Sequence, residues 1–176
     1  MRAGTSTSLL PLEVESLVRS TVTRIRASGG SVIGLIGFSQ GTKVVAGLLR
    51  ASEILSSRSL SQPEHDWCDF KFGISVCSSY PPPLLPASIC EGLGEEEKVK
   101  KIETPTFHVL GTQDEWMWAG RGLVDGYYEV GEGRAEVVEW DMGHHYPTRP
   151  EESERIGAWM MGVMERIEGE GRESRK

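Results

Sequence analysis

The stretch GLIGFSQGTKVVAGLL, residues 34–49, narrows the folds open to this chain more than any other. An apolar, branched run, Ser31-Val32-Ile33-Gly34-Leu35-Ile36, leads through Gly37-Phe38-Ser39-Gln40-Gly41 into a helical pattern with no linker. The run predicts a strand buried on both faces. From Gln40 to Leu55, Val44, Val45, Leu48, Leu49 and Leu55 recur at helical intervals. A serine flanked by glycines at such a junction has the G-x-S-x-G spacing, a turn too tight for side chains two residues to either side. Such a serine is either a nucleophile or a plain turn residue. The strand before it and the helix after it favour the nucleophile.

The rest of the chain repeats the alternation. Leu12, Leu17, Val18, Val22 and Ile25 predict an amphipathic helix stopped by Ser28-Gly29-Gly30. After a polar stretch, Ser56 to Asp69, further strands are expected at Phe70–Cys77, Thr104–Leu110 and Ala135–Trp140. Glu91–Lys101 reads as a charged connection, a solvated loop or helix end. Helices are expected over Trp118–Val130 and over Glu151–Ile167, where Ile156, Trp159, Met160, Val163, Met164 and Ile167 share a face. Strands alternating with helices imply a parallel sheet with helices on its faces, an α/β fold. At 176 residues and 38% hydrophobic content the chain suits one domain, taken as residues 1–168. Residues 169–176 are expected to form a disordered charged tail.

Charge and cysteine content narrow the partners. A formal net charge of −7 repels nucleic acid and anionic membrane surfaces, so a neutral small molecule fits better. Cys68, Cys77 and Cys90 are odd in number and lack C-x-x-C spacing, which suggests neither a disulfide framework nor a zinc site. Reduced thiols, no membrane-length apolar run and no signal-peptide core after Met1 predict a cytoplasmic protein.

In a parallel sheet the ligand site lies beyond the carboxyl ends of the strands. Ser39, Asp114 and His144 follow the first, third and fourth strands. Their chemistry is complementary: a serine hydroxyl becomes a good nucleophile when an imidazole takes its proton, and a carboxylate holds that imidazole in the right tautomer. Asp114 is otherwise a turn former, and Asp125 and Asp141 are rivals for the acid. In Gly143-His144-His145-Tyr146-Pro147 either histidine suits the base. His65, in a polar loop, and His108, inside a strand, are expected to be structural. A metal site from the adjacent His144 and His145 is disfavoured, because neighbouring residues rarely converge on one ion. Trp116-Met117-Trp118 suits either an acyl pocket or, more commonly, a core. Pro81-Pro82-Pro83 is expected to be a rigid loop over the site rather than a recognition motif.

Taken together, GLIGFSQGTKVVAGLL, FKFGISVCSSYPPP, IETPTFHVLGTQDEW and VVEWDMGHHYPTRPEESERIGAWM resemble the fungal serine hydrolase family of the α/β-hydrolase superfamily, which includes small thioesterases releasing polyketides from fungal megasynthases. The resemblance runs from about residue 12 to 167. It implies a three-layer α/β-hydrolase fold with a mostly parallel sheet, with Ser39 as nucleophile, Asp114 as acid and His144 as base, since Gly143 precedes His144 and Pro147 follows at the family's spacing. It also implies an earlier strand ending in an H-G-x-G-like loop that supplies one oxyanion donor, the other being the Gln40 N–H. Nothing in the sequence matches that loop. The chain is therefore expected to be an N-terminally incomplete member lacking the N-terminal strands, with the strand before Ser39 left as an exposed edge.

The leading expectation is a serine hydrolase for carboxylic esters or acyl thioesters, an acyl-carrier-bound chain of secondary metabolism among them, with no cofactor and no metal. Its activity should fall once the histidine is protonated. The alternatives are an inactive remnant that binds an acyl group or partner, and an acyl-protein thioesterase or carboxylesterase. Oligomeric state is left open.

Overall fold

A computed structural model describes residues 8–58 and 66–173; His65 lies outside them. Helix α1 (Leu12–Ala27) precedes β1 (Gly34–Phe38), α2 (Gly41–Ser57), β2 (Phe72–Val76), two short helices α3 (Ala87–Cys90) and α4 (Glu95–Val99), β3 (Thr106–Gly111), α5 (Met117–Tyr127), β4 (Ala135–Trp140) and α6 (Pro150–Glu173). The strands form one sheet in the order β1-β2-β3-β4, every pair parallel. Parallel neighbours need crossovers, and the helices supply them.

Strand alternation divides the core into two layers. On one face, Val45, Leu48, Leu49 and Ile54 of α2 pack with Leu123 of α5 and Val22 of α1. On the other, Ile74, Val76, Phe107, Val109 and Val138 meet Ile156, Trp159 and Met160 of α6. Helices on both sides of a parallel sheet make the three-layer α/β arrangement. Helix α6 begins where Pro150 presets the first turn and the Glu152 carboxylate accepts the N–H groups of Thr148 and Arg149.

Several expectations change. The strand before Ser39 is not buried on both faces: within β1 Gly37 alone is buried, and Ile36 is 61% exposed. Among the described residues β1 is an edge strand, the exposed edge that the resemblance implied, and Trp159 of α6 packs instead on Phe72 and Phe107 of β2 and β3. In α1 the inward stripe is Val14, Val18 and Val22, while Leu12 and Leu17 are exposed. Helix α6 continues through Glu173, beyond Glu168, and residues 174–176 of the expected tail lie outside the described residues. The charged connection contains α4, and α5 ends at Tyr127, before Tyr128 turns extended.

Candidate active site

The turn after β1 carries Ser39 in the left-handed conformation, φ 51°. A non-glycine residue there is strained, and the turn is held from both sides: the Ser39 N–H donates to the Val76 carbonyl, and the Thr42 N–H and hydroxyl both donate to the Ser39 carbonyl. The glycines are not equivalent. A Cβ on Gly37 would lie 2.7 Å from the Gly41 carbonyl oxygen, whereas one on Gly41 would meet nothing within 4 Å. The tight side of the turn is the strand side alone.

Asp114 lies in the turn after β3, with Gly111 at the end of that strand packed so closely on the histidine loop that a Cβ would sit 2.4 Å from the Met142 carbonyl oxygen. That approach joins the two turns. The Gln113 N–H donates to the Met142 carbonyl, and the Asp114 Oδ1 accepts the Trp116 N–H at 2.9 Å. His144 Nδ1 lies 2.8 Å from Asp114 Oδ2, and His144 Nε2 lies 3.0 Å from Ser39 Oγ. A carboxylate only accepts, so the ring proton sits on Nδ1 and Nε2 is left to accept from the serine hydroxyl. Phe38 packs against the His144 ring with centroids 5.0 Å apart.

The structure therefore brings Ser39, Asp114 and His144 together and leaves their rivals outside. His145 Nδ1 donates to the Tyr146 carbonyl and its Nε2 accepts the Gly143 N–H, so it braces the loop. Asp125 is exposed on α5, and Asp141, also exposed, takes an Arg149 guanidinium hydrogen bond on its backbone carbonyl. His108 is fully buried on β3 against Tyr128, and burial depresses its pKa to about 3. Gln40 stands just before α2, where the first backbone N–H groups lack helical acceptors.

A pocket of about 300 Å³ opens beside the serine, lined by Ser39, Gln40, Ser79, Tyr80, Trp116 and His144. Trp116 and Trp118 are 50% and 58% exposed, so the tryptophan cluster is not core. Trp116 forms a wall, while Trp118 packs on Tyr80 with centroids 5.6 Å apart. Tyr80, which precedes the three prolines, lines the pocket, whereas Pro81, Pro82 and Pro83 are not among its lining residues. Cys77, at the end of β2, is a neighbour that sequence reasoning missed. It has φ 46°, and its thiol donates toward the Gly143 and His145 carbonyls at 3.6 and 3.5 Å. Burial, then the nearby Asp114 carboxylate, pushes that thiol up to about 11. The strand order alone flags it, because β2 ends between β1 and β3.

A parallel sheet with helices on both faces, carrying a serine turn, an acid and a histidine at its carboxyl edge, defines the α/β-hydrolase class. Superposition agrees: a fungal esterase of that fold from Rhizomucor miehei matches with a TM-score of 0.51 at 12% identity, over 89% of this chain and 60% of that one. Residues 12–156 match the family described as serine hydrolase (FSH1), and the chain belongs to it. An esterase from Didymella fabae is 28% identical over 149 residues, 72% of this chain and 52% of the relative. Esterase FUS5 from Gibberella fujikuroi is 26% identical over 152 residues, 85% of this chain and 55% of the relative. The chain thus spans about half the length of these curated relatives. Among the described residues no helix is long and apolar enough to cross a membrane.

Proposed function

We propose that the chain is a serine hydrolase for carboxylic esters or acyl thioesters. The carrying observation is the relay from Ser39 Oγ through both nitrogens of His144 to Asp114. Ser39 attacks the acyl carbonyl while His144 Nε2 takes its proton, and Asp114 holds the Nδ1 proton in place. The Gln40 N–H stabilises the oxyanion. His144 then protonates the leaving group, and water repeats the sequence on the acyl-serine. The relatives are named as esterases, which makes oxygen esters the first substrates to try and thioesters, including acyl-carrier-bound chains, the second.

A binding role without turnover is the second reading, favoured by a sequence that offers one oxyanion donor, the Gln40 N–H, and no H-G-x-G-like loop for another. Losing an oxyanion donor costs about 10²- to 10³-fold in rate. Hydrolysis of p-nitrophenyl esters of increasing acyl length, alongside matched acyl thioesters, separates the readings. The hydrolase reading expects turnover that vanishes in Ser39→Ala, and turnover retained in that variant would overturn it.

A further inference from the structure

Cys77, Asp114 and His144 offer a sulfur, a carboxylate oxygen and a ring nitrogen that all lie within 4.8 Å of one another. Among the described residues no other group of three histidine, cysteine or acidic side chains is this close. We propose that these side chains form an inhibitory zinc site, the ion taking the place of the hydrogen bond between His144 and Asp114. The proposal rests on the reading of Ser39 as nucleophile and His144 as base for its inhibitory consequence, though not for metal binding itself.

The donor set selects the ion. Calcium and magnesium take oxygen ligands, whereas mixed sulfur, nitrogen and oxygen suits zinc. Zinc bonds of roughly 2.0–2.3 Å put tetrahedral ligand atoms roughly 3–4 Å apart, so small side-chain rotations suffice. The surroundings already orient the donors. In the metal-free chain the Cys77 thiol donates toward the carbonyls on either side of His144, contacts given up with the thiol proton when zinc binds, while the second Asp114 oxygen is fixed by the Trp116 N–H. The left-handed backbone at Cys77 ends the strand alternation at the point where its sulfur meets this group. Three protein donors leave the fourth position open.

Binding needs no oxidant. The thiol proton passes to solvent as the sulfur–zinc bond forms. His144 must present the Nδ1 lone pair to the ion, so its ring proton resides on Nε2. There it donates to Ser39 Oγ instead of accepting from it, and the base is lost. Inhibition follows from the tautomer, without displacement of Ser39.

The test uses the full 176-residue chain and cadmium as a spectroscopic stand-in for zinc. In a Cys68→Ala/Cys90→Ala variant, where Cys77 is the remaining thiol, cadmium should produce a thiolate charge-transfer absorption that saturates at one ion per chain and that zinc displaces. No such band, or a band surviving Cys77→Ala, would overturn the site. In parallel, zinc should suppress fluorophosphonate labelling of Ser39 and EDTA should restore it. Relative to its own zinc-free rate, Cys77→Ser should need about 10- to 100-fold more zinc; unchanged sensitivity would overturn the inhibitory role. A chain that binds cadmium through Cys77 yet never labels would sink the hydrolase reading while leaving the metal site standing.

Discussion

The Asp114 side chain is 1% exposed and the His144 side chain bonded to it at 2.8 Å is 34% exposed, so the pair runs from the closed interior out to the pocket. The buried end has no solvent to replace a lost acceptor. Asp114→Asn presents an amide N–H to Nδ1 and stabilises the wrong tautomer. It should lower ester turnover by roughly 10²- to 10⁴-fold with circular dichroism unchanged. Wild-type turnover in a folded Asp114→Asn protein would rule out its orienting role.

Thr42 fastens the serine turn to the segment after β2. Its hydroxyl donates to the Ser39 carbonyl at 2.6 Å and accepts the Ser79 N–H at 3.0 Å, in a fully buried position. Thr42→Val keeps the shape and leaves the Ser79 N–H unpaired. Urea denaturation should show a loss of about 1–3 kcal/mol.

The tryptophans should separate kinetically. Trp116 lines the pocket and Trp118 packs on Tyr80 beside it. Trp116→Ala is expected to raise KM for longer acyl esters by roughly three- to tenfold, with Trp118→Ala smaller. Equal effects would move the acyl group out of this pocket.

Buried His108 sets a pH dependence of stability. Unfolded, it takes a proton below its ordinary value of 6.5; folded, it resists until about 3. Between these values the unfolded state binds more protons, so the contribution is intact above 6.5 and is lost as pH falls toward 3. Unfolding free energies at about pH 7 and about pH 5 should differ by about 2 kcal/mol more in the wild type than in His108→Leu. Parallel pH profiles would contradict this.

Much of the fold and site was legible because it is local. The run from Gly34 to Leu49 sets strand, turn and helix within one segment, and Ser39, Asp114 and His144 each follow a strand directly. Sheet order was not local. The edge position of β1 came only with the resemblance, and the exposure of Ile36, Leu12 and Leu17 depends on which elements pack against them. Residue chemistry left His144 and His145 open until the resemblance singled out His144; in the structure His145 turns back on Gly143 and Tyr146. Cys77 carries no motif and enters the site through strand adjacency. The tryptophans are hydrophobic by composition, yet Trp116 is exposed where it lines a pocket and Trp118 where it packs on Tyr80.

Ser39 Oγ and His144 Nε2 meet 3.0 Å apart across a separation of 105 residues, and the account depends on that meeting producing a reactive serine. The most direct measurement is covalent labelling of the purified chain with a fluorophosphonate, located by peptide mass spectrometry, beside Ser39→Ala and His144→Ala. The account predicts labelling confined to Ser39, absent in Ser39→Ala and strongly slowed in His144→Ala. A soluble, folded wild-type chain that takes no label, or one labelled equally well without Ser39, would contradict it.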